Sequence, residues 1–325
     1  MPSKPSRFPF ALAAIAVVAL AIRITYVLGW KNPVQPAGDP FYYHYAANFL
    51  VEGKGFLHPF ALLKQHVKTP GADHPPGYIV ALAVSSLFGF RSFLDHQIWS
   101  CCISTTAVVA VGFTGRRIAG ERAGLIAALL AAVYPSFWIN DGLLLSESLV
   151  LLLTTLAALT AYRLWEEPSV GRAAVFGLVV ALNALTRAET LLILPFIGIP
   201  LLLFDRRLAL KRRLTLLLVG AVACAAAIAP WSIYNETRFQ HTTLLSTGLG
   251  NVLIVANCDR VYSGPAIGFW FHFCLTDIPQ PPGDRSSQEL VYRHDALRYV
   301  RKHGNRLPAV MWARLGRTFG FFRPN

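Results

Sequence analysis

Gly38-Asp39-Pro40-Phe41-Tyr42-Tyr43-His44-Tyr45 stands directly after a hydrophobic segment that runs from about Phe8 to Trp30. About 20 apolar residues are enough to cross a bilayer, so this first segment is long enough to span one. Asp39 then falls just past the membrane surface. The rings behind it are of the kind that settles at a lipid–water interface. A carboxylate held at that level can meet a lipid-linked substrate whose reactive head group lies at the same depth. By residue type alone such an acid reads as a solvated loop residue; the rest of the chain changes that reading.

The 325 residues are 54% hydrophobic and only 14% charged, with mean hydropathy +0.46. A soluble domain carries roughly 25% charge, so the composition describes a polytopic membrane protein. A net charge of +13 could indicate nucleic acid, but the basic residues cluster in short loops between apolar segments, as membrane orientation demands. Nucleic acid is therefore excluded as a partner, and membrane lipids are implied. The first segment is too long, and lacks the small-residue cleavage site, to be a removed signal peptide. It reads as a retained signal anchor.

Basic loops also set the expected topology. Lys4 and Arg7 place the N-terminus in the cytoplasm, followed by Arg116, Arg117 and Arg122, by Arg163 and Arg172, and by Arg206, Arg207, Lys211, Arg212 and Arg213. If all are cytoplasmic, about seven spans fall near 8–30, 93–114, 123–139, 143–163, 172–187, 190–204 and 213–232. The turns at Asn140–Gly142 and Arg187–Glu189 then lie outside. The expected fold is an all-α polytopic protein of the cytoplasmic membrane: a transmembrane core over 1–232 and an extracytoplasmic region over 233–325. Its long first external loop covers 31–92. The apolar run Pro76–Phe90 is too short to span comfortably, and counting it as a span would put the Arg116 cluster outside. It is expected to lie in the outer interface, with a preceding helix over Pro40–Val51 that stops at Glu52-Gly53-Lys54-Gly55. Two further helices are expected over 286–303 and 308–321, the second either on the membrane surface or packed in a small domain.

Cys101, Cys102 and Cys224 fall inside spans and read as small apolar fillers. Cys258 and Cys274 lie in the outer region, where oxidising conditions favour a disulfide.

Outer-face charges carry the chemistry. Glu147 opens a run of Leu and Val and must enter the outer leaflet, which is costly unless it faces a wet cavity or a partner. Asn140 shares its helical face about 10 Å higher, whereas Asp141 points elsewhere. The bland alternative for Glu147 is a structural carboxyl between helices. Arg187, with Glu189 close by, is the group that would clamp a phosphate bidentately; a snorkelling arginine is its alternative. Asp39, Asp141, Glu147 and Arg187 sit on one side of the membrane at one depth.

Five motifs in order carry a resemblance. Asp39 with Tyr43, Tyr45 and Gly53-x-Gly55, then His74-Pro75-Pro76-Gly77-Tyr78, Ser146-Glu147, Leu185-Thr186-Arg187-Ala188-Glu189 and Pro230-Trp231-x-x-x-Asn235 resemble the bacterial family 39 glycosyltransferases. That superfamily includes the protein O-mannosyltransferases and the aminoarabinose transferases of lipid A. The resemblance implies a C-type glycosyltransferase fold whose first external loop carries juxtamembrane helices, and a polyprenyl-phosphate sugar as donor. It implies acceptor glycan, lipid or protein. It casts Asp39 as base and Arg187 as phosphate contact, while Glu147 orients sugar hydroxyls, holds a divalent metal ion or positions Arg187. Tyr43, His74, Asp141, Glu189, Asn235 and Arg238 complete the expected substrate-binding set.

Two departures bear on the substrate. Pro40 stands where protein O-mannosyltransferases have a second acid, which weighs against a protein acceptor. Trp231-Ser232-Ile233-Tyr234-Asn235 lacks the arginine of the family's Trp-x-x-Arg-Asn, a contact that Arg238 is placed to supply. Relatives also continue into further spans beyond the Arg314–Gly320 region, so a C-terminally truncated, even inactive, homologue is an alternative expectation. The competing class is a transporter or lipid flippase. It would place its charges at mid-membrane on broken helices repeated between halves, a pattern not found here.

Overall fold

In lipid every backbone amide needs a partner, and a helix supplies its own. The computed structural model is accordingly all-helical among its described residues, 7–30 and 37–323. Lys4, the opening residues 31–36 of the first loop, and Asn325 lie outside them. The chain divides into two compact units, Met1–Lys68 with Pro75–Trp231, and Thr69–His74 with Ser232–Asn325.

The first unit holds α1 (Phe8–Trp30), α2 (Asp39–Val51), α3 (Pro59–Gln65), α4 (Gly77–Leu87), α5 (Phe93–Val133), α6 (Ile139–Leu143), α7 (Glu147–Glu166), α8 (Val170–Ala184), α9 (Ile199–Leu203) and most of α10 (Leu210–Glu236). By length and composition α1, α5, α7 and α10 can each cross a membrane. The protein is an all-helical polytopic membrane protein. Its helices pack through small residues that let backbones approach: Ala19 of α1 against Val108, Ala128 and Ala132 of α5, and Ala157 of α7 with Phe176 and Val180 of α8. Large apolar side chains such as Phe10, Leu130, Phe196 and Leu218 remain exposed, as lipid-facing residues must.

Several boundaries differ from the expected ones, each for a local reason. The spans expected at 93–114 and 123–139 are two helices, taken together as α5, that meet where Ala119 leaves helical geometry and Gly120 takes φ 86°. That left-handed φ costs a residue with a Cβ dearly and glycine almost nothing. The second half of α5 stops at Val133, because Pro135 forces Tyr134 into an extended conformation (ψ 118°). The next span begins at Glu147, four residues later than expected, since Leu144 adopts a left-handed φ of 51°. The segment expected at 190–204 is a succession of short 3₁₀, π and α turns over Ala188–Leu203, interrupted at Pro195 and Pro200. By contrast α2 begins beside Pro40, which favours a first helical turn, and ends at Val51 before the expected Gly53–Gly55 stop.

The second unit contains α11 (Leu249–Ala256), α12 (Asp259–Tyr262), α13 (Phe273–Thr276), α14 (Arg285–Lys302) and α15 (Leu307–Thr318). Thr247 binds the stretch Thr69–His74 to this unit, donating its amide to the Ala72 carbonyl at 2.7 Å and its hydroxyl to Asp73 at 3.1 Å. Ile254 and Val255 of α11 pack on Tyr292 and Ala296 of α14. α15 turns Val310 and Ala313 inward and leaves Met311, Trp312, Leu315 and Phe319 exposed. Cys258 and Cys274 form a disulfide with Cα atoms 6.2 Å apart, closing a loop of sequence separation 16. A cross-link of that span restricts the unfolded chain by about 3 kcal/mol. Replacing both cysteines by serine is expected to lower the denaturation temperature of the purified protein under non-reducing conditions; an unchanged transition would show that the bridge adds nothing.

Candidate active site

Gly38 carries the chain into α2, and Asp39 and Pro40 form its first turn. A carboxylate there is favoured by the helix dipole. One turn on, Tyr43 occupies the same helical face, but where Asp39 is exposed, Tyr43 is buried. Burial pushes its phenol well above the ordinary range; the hydrogen bond with Ser146 opposes this, Asp39 and Glu147 add to it, and Arg187 offsets it. Tyr43 therefore remains a neutral hydroxyl at physiological pH. It is also the residue on which the fields of Asp39, Glu147 and Arg187 meet.

Glu147 starts α7, and Arg187 follows the end of α8. Arg187 Nη1 donates to Glu147 Oε1, and its Nε donates to Glu189 Oε1 at 2.7 Å. The guanidinium side chain is 39% exposed, Glu147 34% and Glu189 59%. One cation is thus held between two carboxylates, the more accessible of which is Glu189. The backbone behind Arg187 is fixed by α4. Gly77 N donates to the Leu185 carbonyl at 2.6 Å, and a Cβ on Gly77 would come within 2.7 Å of that oxygen and 2.6 Å of Thr186 Oγ1. The Pro-Pro-Gly turn and the Leu-Thr-Arg segment are therefore one contact, and glycine is what permits it. Gly77→Ala should displace the Arg187 segment and reduce activity at least tenfold, with the helical content by circular dichroism kept; full activity would separate this contact from the site.

Of the other expected residues, one belongs to the first unit and three to the second. Asp141 is fully buried on α6, where its two oxygens accept from Ser104 and Ser148 at 2.6 Å each and it pairs with Arg23 at 3.3 Å. Its carboxylate is fully engaged inside the bundle, so Asp141 is removed from the substrate-binding set: it fastens α1, α5 and α7 together. His74, Asn235 and Arg238 belong to the second unit. There Asn235 is buried, donates to the Thr243 carbonyl at 3.1 Å and accepts from Arg238, whose guanidinium stands 4.1 Å over the Tyr234 ring. Both secure the turn after α10. Half-buried His74 ends the Thr69–His74 stretch.

Two groups escaped the sequence reading. Arg23 was overlooked inside the first span, although a charge within an apolar segment is itself a signal. His44 and His96, with ring nitrogens 3.1 Å apart, continue through Ser86 to Asn48 as a buried polar chain joining α2, α4 and α5. Burial lowers the His44 imidazole to about 4, so at neutral pH it serves as an uncharged packing group. A divalent ion does not fit the site as a resident group. Glu147 and Glu189 both turn to the same guanidinium, and no three His, Cys, Asp or Glu side chains converge among the described residues.

The site is thus a carboxylate–guanidinium–carboxylate cluster beside a buried tyrosine in an all-helical membrane bundle. Residues 73–234 match the family profile described as dolichyl-phosphate-mannose-protein mannosyltransferase. The match supports a membrane glycosyltransferase of the mannosyltransferase type. It includes Glu147, Arg187 and Glu189 and begins after Asp39 and Tyr43. No curated protein matches the chain.

Proposed function

We propose that this protein moves a sugar from a polyprenyl-phosphate donor to an acceptor hydroxyl at the extracytoplasmic face of the cytoplasmic membrane, with inversion at the anomeric carbon. The observation that carries the reading is Arg187 held between Glu147 and Glu189, with Tyr43 in electrostatic contact with Asp39, Glu147 and Arg187. Asp39, exposed at the start of α2, takes the proton of the acceptor hydroxyl as its oxygen attacks the anomeric carbon. The bond from that carbon to the phosphate oxygen breaks, and the lipid phosphate leaves with the electron pair. Arg187 stabilises the charge it gathers. The phosphate reaches Arg187 by displacing Glu189, the more exposed partner, while Glu147 keeps the guanidinium in place. Tyr43 offers a neutral hydroxyl beside the same centre.

The test is transfer itself. Membranes enriched in the protein, given polyprenyl phosphate carrying a labelled sugar, should release polyprenyl phosphate and place the label on an acceptor. Movement of intact labelled donor between leaflets without release would establish a transporter instead.

A further inference from the structure

The ends of α5 and α7 show that the first half of α5 runs parallel to α7. Ser104 and Ser148 meet on Asp141 at one end, and Arg117 meets Glu166 at 2.7 Å at the other. Between them, from Thr106 on α5 and Leu152 on α7 to the second end, opens a groove of about 870 Å³. Its α7 wall is the single face of Leu152, Leu156 and Leu159, ending in Arg163; its α5 wall leads past Phe113 to Arg116 and Arg117. Three cations and one acid, Glu166, therefore crown an apolar trough.

The cations differ in their engagement. Arg117 is paired with Glu166, and Arg116 with Glu121 at 3.0 Å. Exposed pairs of this kind are weak and yield readily to a stronger anion. Arg163, also exposed, makes no ion pair among the described residues. Arginines at the ends of membrane helices also satisfy the helix dipole and the orientation rule. Those effects explain why the charges are there, but they require no open apolar trough leading up to them. From Thr106 to Arg116 the trough extends about 15 Å, the depth of one leaflet of a roughly 30 Å hydrocarbon core.

We propose that this groove holds one anionic phospholipid of the leaflet at its basic end, with the phosphate among Arg116, Arg117 and Arg163 and an acyl chain along Leu152, Leu156 and Phe113. Basic pockets between membrane helices suit such head groups. A polyprenyl phosphate shares the chemistry, but the phosphate of the donor belongs with Arg187. Glu147 and Glu166 mark opposite ends of α7, about 28 Å apart.

The experiment is native mass spectrometry of the full chain in mild detergent, with phosphatidylglycerol, phosphatidylcholine or polyprenyl phosphate added singly. One phosphatidylglycerol should bind per chain, at least tenfold tighter than phosphatidylcholine. Arg163→Gln should weaken it roughly fivefold. Leu156→Trp, which fills the trough and leaves every charge in place, should weaken it at least as much. Equal binding of the two phospholipids, binding unchanged in both variants, or a loss of polyprenyl phosphate as large as that of phosphatidylglycerol in the Arg163→Gln chain would each overturn the proposal.

Discussion

Asp39→Asn is expected to lower turnover by about 10²–10⁴-fold, the contribution of a positioned general base, while donor affinity hardly changes. Asparagine keeps the size of the side chain and most of its hydrogen bonding but cannot take a proton. The substitution should be well tolerated by the fold. Asp39 is exposed at the first turn of α2, and losing its interaction with the helix dipole costs about 0.3–1 kcal/mol. Donor binding and turnover should therefore separate: labelled donor still associates with the membrane protein, and sugar is not passed on. Near-normal transfer by the variant would remove Asp39 from the mechanism and leave the family match to describe ancestry alone.

Arg187→Ala is expected to reduce turnover by about 10²–10³-fold, the loss seen when one group stabilising a developing anion is removed, and to weaken donor binding as well. The second effect distinguishes it from Asp39→Asn. Truncation also leaves Glu147 and Glu189 side by side without the cation between them, so the site would repel a phosphate. Arg187→Lys should recover only part of the activity. A lysine keeps the charge but lacks the planar fork that now reaches Glu147 and Glu189 through separate nitrogens. A variant with normal donor affinity and slow transfer would place Arg187 on the acceptor side and force a different assignment of the phosphate.

Much of the fold could be read directly because its signals are local. Pro40 and the glycines just beyond Val51 bracket α2, and an apolar run whose one charge is Arg23 delimits α1. The Arg116–Arg122 cluster marks the place where the two halves of α5 part, and Gly120 supplies the left-handed backbone of that break. In the site, Glu147 and Arg187 stood out as charges at the ends of apolar runs. Their mutual contact follows from α7 and α8 packing antiparallel through Ala157, Phe176 and Val180. Asp141 was misplaced because its turn was expected to face water, whereas α6 buries it against Ser104 and Arg23. Averaged hydropathy hides Arg23 among its neighbours, and its partner is far away in sequence.

That distance has a consequence for how the protein is made. Arg23 enters the membrane with the first helix, donating there to the Ala19 carbonyl one turn back, and its other partners emerge much later: Ser104 follows 81 residues on and the Ala132 carbonyl 109. Until then the first helix bears a charge that is disfavoured by roughly 2.5–3.5 kcal/mol at a span's centre. Arrival of Asp141 converts that liability into a latch. The first helix is thus fully anchored only once the turn that carries Asp141 has been made, 118 residues after Arg23.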